Sequence, residues 1–142
     1  MPRITIEEFN KFAGPGAPFV SYFGARLIEI ERGTATVLVP FDEKFIRPGG
    51  TISGPVIMMA ADLVMYAVVL SLVGPKALAV TTNLNVNFLR KPGRKDLLAR
   101  GSALKHGKRL VVGEVSLYSD GEEEPVAHVT ATYSIPPEKN HE

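Results

Sequence analysis

The sequence predicts an α+β fold in which one curved antiparallel sheet wraps around a single long buried helix. Three observations predict it. Residues 54–73 are apolar on every side of the helix they would form, so this helix should be buried all round. Two segments before it and four after it alternate between polar and apolar residues, as half-buried strands do. The length of 142 residues fits one domain, 1–142, with one core.

The composition limits the class of protein. Hydrophobic residues make up 45% and charged residues 22%, and the formal net charge of +1 predicts neither a nucleic-acid partner nor an acidic one. The absence of cysteine excludes disulfides, thiol catalysis and thiolate metal sites. The first residues show no apolar signal-peptide region, and two glutamates argue against a transit peptide. We therefore expect a cytoplasmic protein.

The chain begins with helical signals. Residues 4–13 form an amphipathic pattern with Thr5 as the predicted N-cap and glutamates in the first turn, and glycine and proline at 14–16 should end this helix. Residues 19–24 form an apolar patch that is either a second short turn or the edge of the core.

Strand signals follow. Residues 26–31 and 34–39 alternate on either side of Arg32-Gly33, which predicts a hairpin. Residues 41–50 then form a glycine-containing loop that leads to the long helix.

The start of the long helix is well marked. Ser53 is the predicted N-cap, and Pro55 near the first helical position lacks only a donor that would have no partner there. The amides of Gly54, Val56 and Ile57 point outward at the positive end of the helix, where an anion or a polarised carbonyl could bind. Gly74-Pro75 should end the helix.

Asp62 is the only Asp, Glu, Lys, Arg or His in this helix. A carboxylate among apolar residues loses its hydration, so it should be paired, hydrogen-bonded or used in chemistry. The structural alternative is a core aspartate that hydrogen-bonds a neighbouring loop. A membrane span is disfavoured, because the segment contains Asp62 and lacks charged flanks that would set a topology.

The rest of the chain predicts a four-stranded meander, with strands at 78–89, 96–104, 108–119 and 126–135. Residues 90–95 form a basic turn, and the chain from Pro136 should be a frayed tail. Because one sheet cannot cover a helix that is apolar all round, the remaining surface should contact a second subunit. The low charge of the long strands favours edge-to-edge association.

This order of elements, with these residues, resembles the hotdog fold, and specifically the acyl-CoA thioesterases of the phenylacetate-pathway type. Those enzymes carry the motif Asn-x-x-Gly-x-x-His-Gly-Gly before the central helix and an Asp or Glu nine residues after the histidine. The matching stretch here is 47–55, and Asp62 lies nine residues after Ser53. The strand around Thr81 and the turns at 107–109 and 120–121 also match. The resemblance covers nearly the whole chain.

The resemblance implies an acyl-CoA substrate, hydrolysed without a cofactor. It assigns Asp62 as general base or nucleophile, the Gly54 amide as the donor to the thioester carbonyl, and the Thr81 hydroxyl as a group that positions water. Three motif positions differ: Arg47 replaces the asparagine, Ser53 the histidine and Pro55 a glycine. Arg47 could stabilise an oxyanion, or it could pair with Asp62 and close the site.

That second possibility leaves another function open: a non-catalytic module that binds an acyl or aromatic ligand, with a site altered at Arg47 and Ser53. For either function we expect no nucleic-acid or membrane partner. We also expect a homo-oligomer, which should be at least a dimer and is predicted to be a tetramer.

We also assign substrate contacts outside the motif. Basic residues gather at strand ends and could receive coenzyme A phosphates, although the alternative is an ordinary solvated surface. The candidates are Arg90, Lys91, Lys108 and Arg109. The other candidate substrate contacts are Ser53, Pro55, Phe45, Met58 and Asn83. Met58 and its neighbouring methionines are core filler or the lining of an acyl tunnel. His106, His128 and His141 lack partners at metal-ligand spacing, so no metal site is predicted.

Overall fold

A computed structural model describes residues 1–13, 18–75 and 78–137. Its helices are α1 (Ile6–Ala13), α2 (Pro18–Phe23) and α3 (Gly54–Val73). Its strands are β1 (Arg26–Glu31), β2 (Thr34–Val39), β3 (Val80–Phe88), β4 (Leu97–His106), β5 (Leu110–Ser119) and β6 (Ala127–Ser134). The predicted order of elements is confirmed, with bounds that move by a few residues.

The six strands form one antiparallel sheet in the order β1-β2-β4-β5-β6-β3. The predicted four-stranded meander is therefore wrong for β3, which pairs with β6 at one edge rather than with β4. Residues 89–96 are not a tight turn but a crossover past the ends of β6 and β5. Three strand spacings separate β3 from β4, a distance of about 14 Å, and eight residues can easily span it. In this strand order β4 pairs with β2, and β3 lies at the edge of the sheet with one side unpaired.

Helix α3 packs across the concave face of the sheet and contributes more buried apolar side chains than any other element. It lies close to β5, because a Cβ at Gly113 would come within 2.5 Å of Met65 Cε and 2.7 Å of the Ser102 carbonyl oxygen. By length and composition α3 could cross a membrane, but it is mostly buried, as the core helix of a globular fold is.

The prediction that α3 is buried all round is wrong along one line of its surface. Pro55 and Met58 are exposed, and Asp62 and Tyr66 are only half-buried. These residues are three or four apart and so form one stripe. We call Pro55, Met58, Asp62 and Tyr66 the open stripe; the sheet of the same chain leaves it partly uncovered.

The N-terminal segment is fixed to the body of the fold. Thr5 is the N-cap, as predicted, and it forms a capping box with Glu8, in which each side chain accepts a hydrogen bond from the other residue's amide. The Asn10 side chain bonds both backbone groups of Leu27 in β1. The apolar patch at 19–24 is a short helix, α2, and not only a turn. The predicted helix stop at 14–16, and the tail beyond 137, lie outside the described residues.

Candidate active site

Asp62 lies at the middle of α3 with its carboxylate hydrogen-bonded to two hydroxyls. Thr81 Oγ1 donates to Asp62 Oδ1 at 2.6 Å, and the Tyr133 hydroxyl lies 2.9 Å from the same oxygen. The Tyr133 hydroxyl is also 3.1 Å from the Asp62 carbonyl oxygen. Within the described chain, Oδ2 receives no hydrogen bond and Asp62 is in no ion pair. One carboxylate oxygen is therefore held, and the other is available on the open stripe.

The sheet register explains why the two hydroxyls meet. Thr81 of β3 and Tyr133 of β6 are directly opposite each other, so their side chains lie on the same face of the sheet, toward α3. The pairing shifts immediately afterwards, between Thr81 and Asn83. Such bulges commonly re-aim a side chain near a functional site. Here the irregularity lies beside the hydroxyl that contacts Asp62.

Tyr133 is 3% exposed, and its hydroxyl stays protonated in this environment. Burial, reinforced by the nearby Asp62 charge, raises the pKa of Tyr133 well above the usual value for a phenol. The ring is 6.0 Å from that of Tyr66, which in turn stacks at 6.2 Å on Phe12 of α1. Three aromatic rings therefore form a row from Tyr133, which contacts Asp62, to α1.

This environment predicts a measurable effect on alkaline stability. A group whose pKa is raised by folding stabilises the native state fully below its unfolded-state pKa, and this contribution is lost as pH rises above that value. For Tyr133 the loss begins near pH ~10 and amounts to about 1.4 kcal/mol per pH unit. Denaturant unfolding of wild type and Tyr133→Phe between pH 8 and 11 should show the wild type losing stability more steeply above pH ~10. Parallel curves would contradict the buried neutral phenol.

A second feature is a cavity of about 400 Å³ at the N-terminus of α3. Its lining combines apolar side chains, the Gly54 backbone and cationic groups. The lining residues are Arg47, Thr51, Ile52, Gly54, Ile57, Phe88, Leu89, Arg90, Lys91 and Pro92. Four residues predicted for the site, Arg47, Gly54, Arg90 and Lys91, therefore border one cavity.

The backbone at this end leaves the Gly54 amide available. Ser53 occupies the predicted N-cap position, but its side chain makes no capping hydrogen bond. The Val56 amide, which we expected to be free, donates to the Ser53 carbonyl at 3.1 Å. The Gly54 amide donates no hydrogen bond among the described residues, and Gly54 lines the cavity at the positive end of the helix.

The cations at this cavity differ in their pairing. Arg90 forms a salt bridge with Glu124, whereas Arg47 and Lys91 are in no ion pair within the described residues. Arg47 is held at its backbone, which bonds Thr51 and Gly50 across a tight turn. Arg47 does not pair with Asp62 within the described chain, so of the two alternatives for Arg47 the structure does not show closure of the site by that pair.

The other predicted site residues lie elsewhere. Phe45 is 3% exposed and packs against the Phe23 ring at 5.5 Å, in the core. Pro55 and Met58, the latter 42% exposed, belong to the open stripe. Asn83 is exposed on β3, opposite Thr132. Lys108 and Arg109 line a separate cavity of about 510 Å³ beside the C-terminal end of α3, with Arg3, Arg32 and His106.

Gly54 and Asp62 lie too far apart to act on one carbonyl within a single chain. Eight residues of helix separate them, an axial rise of about 12 Å. Strand β3 connects the two places: its start contacts Asp62 through Thr81, and its end approaches Gly54, where a Cβ would lie 3.3 Å from Phe88 Cζ.

Tyr133 is a contact of Asp62 that the sequence reading missed. The available signal was a tyrosine at a core-facing position of a strand, whose hydroxyl needs a partner when buried. Finding which partner requires the pairing of β3 with β6, which the predicted meander did not contain.

Comparisons with known proteins agree with this geometry. The family model described as the thioesterase superfamily matches residues 49–126, just over half of the chain. A crystal structure provisionally described as a thioesterase, from Silicibacter sp. TM1040, superposes with a TM-score of 0.87, with 38% identity over 96% of this chain and 95% of that one. A Saccharolobus solfataricus protein provisionally named an esterase is 29% identical over 99% of this chain and 92% of its own length.

A phenylacetic acid degradation protein from Thermus thermophilus matches with a TM-score of 0.75, 22% identity, and coverage of 84% of this chain and 99% of its own. At that identity the likeness shows the fold alone. The predicted hotdog fold is thus confirmed.

Proposed function

Because the chain belongs to the thioesterase superfamily, we propose that it hydrolyses acyl-CoA thioesters, with Asp62 activating water or attacking directly. Family membership and the esterase-named relatives support ester or thioester hydrolysis in general. The observation that carries the specific proposal is the Asp62 carboxylate, held by Thr81 and Tyr133 on one oxygen and available on the other.

The proposed chemistry needs no cofactor. In the general-base form, Asp62 Oδ2 takes a proton from water while the water oxygen bonds to the thioester carbonyl carbon. The carbonyl oxygen becomes an oxyanion that accepts a hydrogen bond from the Gly54 amide. The C–S bond then breaks, and coenzyme A leaves as a thiolate, which takes up a proton. In the nucleophilic form, an Asp62 oxygen bonds to the carbonyl carbon and the C–S bond breaks, so that coenzyme A leaves as a thiolate that takes up a proton. Water then hydrolyses the resulting anhydride to the free acid and the Asp62 carboxylate.

The separation of about 12 Å between Gly54 and Asp62 along α3 means that each complete site needs two subunits. The free edge of β3 offers the contact. Two β3 strands paired antiparallel about a two-fold axis near Leu84 would place the Thr81 end of one beside the Phe88 end of the other. Asp62 of one subunit would then meet Gly54 of its partner, and the open stripe would be covered. A dimer is the smallest assembly that completes this site; the tetramer stays a prediction.

Charge at the Gly54 cavity supports coenzyme A as the leaving group. Arg47, Arg90 and Lys91 border the cavity, while Ile52, Ile57 and Phe88 provide an apolar lining. Phosphates pair with such cations, and the pantetheine arm suits an apolar slot. The Arg47 side chain is in no ion pair among the described residues, and it is the cation we assign nearest the reacting carbonyl.

The test is a panel of aliphatic and aromatic acyl-CoAs compared with p-nitrophenyl esters of the same acyl groups. We expect kcat/KM for the best acyl-CoA to exceed that of the matched ester by about 100-fold or more, because binding energy from the nucleotide portion is used at the transition state. Equal turnover of esters would indicate a general esterase. Binding of acyl-CoA without turnover would overturn the proposal in favour of the non-catalytic module.

A further inference from the structure

We propose that Tyr133 is a positioning residue which, together with Thr81, restrains Asp62 Oδ1 so that Oδ2 is the oxygen that reacts. This inference rests on the proposed function, since it assigns a role to a neighbour of the proposed base. It goes beyond that function by predicting a redundancy between two hydroxyls.

The carboxylate torsion of an aspartate is broad and roughly two-fold, so an unrestrained carboxylate samples many orientations. Here both hydroxyls approach the same oxygen, at 2.6 and 2.9 Å. Fixing Oδ1 at two donors sets the direction of Oδ2, and reactions gain most when the reacting atom is already in an attack geometry.

The Tyr133 hydroxyl donates its hydrogen bond preferentially to the Asp62 carboxylate. This hydroxyl has one hydrogen and lies near three possible acceptors: Asp62 Oδ1 at 2.9 Å, the Asp62 carbonyl oxygen at 3.1 Å, and the neutral hydroxyl of Thr81. Hydrogen bonds to an ionised acceptor are stronger than those to a neutral one. The carboxylate is therefore the favoured acceptor whenever Asp62 is charged, the state that a base or nucleophile needs.

The Tyr133 donor is itself held in place by the sheet and by its neighbours. Tyr133 is buried in β6, its ring packs against Tyr66, and its strand partner is Thr81. The phenol cannot turn away without disturbing the sheet. Tyr133 does not need to touch the substrate to act, because its effect passes through Asp62.

The test is a double-mutant cycle on acyl-CoA hydrolysis with Tyr133→Phe, Thr81→Val and the double variant. Each single variant keeps one hydroxyl on Oδ1, so we expect kcat to fall about fivefold in each. The double variant should lose at least about 100-fold, more than the product of the single losses, because the carboxylate is then free to rotate. KM should stay within about twofold throughout, since the hydroxyls contact the base and not the substrate.

Matched controls separate positioning from folding. Tyr118→Phe removes a tyrosine hydroxyl from β5, away from Asp62, and should leave kcat unchanged. Thr81→Ser keeps a hydroxyl and should retain most of the activity lost in Thr81→Val. Thermal unfolding of every variant shows whether any loss of kcat follows a loss of stability.

The outcomes distinguish this inference from the proposed function. If Asp62→Asn is inactive but the double variant keeps kcat within twofold of wild type, or loses only the product of the single effects, the positioning role is wrong. A kcat loss that follows the loss of stability across the variants would overturn it as well. If Asp62→Asn itself remains active, it is the proposed function that fails.

Discussion

Replacing Asp62 with asparagine is expected to lower kcat for acyl-CoA hydrolysis by about 10³-fold, within the range measured when a general base is removed. Asparagine has nearly the same shape, and its carbonyl oxygen can accept the hydrogen bonds that Thr81 and Tyr133 donate to Asp62 Oδ1. Its amide cannot take a proton from water or form an acyl intermediate. The change therefore removes the chemistry and leaves the packing in place, so the midpoint of thermal unfolding should change little.

Asp120→Asn is the matched control, because Asp120 is exposed in the turn after β5 and should tolerate the substitution without loss of activity. Steady-state kinetics with the best acyl-CoA of the panel provide the measurement. If Asp62→Asn keeps more than a tenth of the wild-type kcat, Asp62 is the structural core aspartate considered at the outset, and the assignment of the base is wrong.

Much of the fold could be predicted because its signals are local. The periodicity of β1 and β2, the Thr5 capping box and the Gly74 stop of α3 are each encoded within a few residues. The structure reproduces them, including the 2.9 Å hydrogen bond from the Gly74 amide to the Leu70 carbonyl. Such signals need no knowledge of the rest of the molecule.

Strand pairing was not predictable in the same way. Residues 90–95 carry glycine, proline and charge, the composition of a hairpin turn, yet they begin a crossover to β4. Whether β3 pairs with β4 or with β6 depends on where β2 finds a partner and on how α3 is covered. Both are long-range conditions that the composition of the connecting segment does not record.

Some residues of the candidate site could be predicted from local sequence features, and others depend on long-range strand pairing. Asp62 and Gly54 are apparent from the sequence because a lone acid in an apolar helix and a free amide at its N-terminus are local features. Tyr133 is not, because its contact with Asp62 joins residues 71 apart and exists only through the register of β3 with β6. Lys108 and Arg109, grouped with Arg90 by composition, lie beside a different cavity for the same reason.

The Gly54 amide can be tested with a substitution that deletes its hydrogen. Gly54→Pro deletes the donor at a helix start where proline is tolerated, after a Ser53 whose ψ of 150° suits a following proline. We expect kcat to fall about 10² to 10³-fold, the usual cost of losing one oxyanion donor. Gly54→Ala is the control: it shares the added Cβ near Phe88 and the position before Pro55, but it keeps the N–H. It should stay within about tenfold of wild type.

Co-expression of Asp62→Asn with Gly54→Pro should restore activity that neither variant has alone. If each site takes its acid from one subunit and its amide from the other, a mixed dimer has one site with both defects and one fully wild-type site. Random association makes half of the dimers mixed, so the mixture should show about a quarter of the wild-type activity.

The control for this recovery is co-expression of Asp62→Asn with a chain that carries both substitutions. No subunit then supplies an acid, and activity should stay at background, which excludes recovery through improved folding or expression. Sites formed within single chains would leave both mixtures inactive. That result would contradict the pairing of β3 edges and, with it, the need for a partner that follows from the separation of about 12 Å between Gly54 and Asp62 along α3.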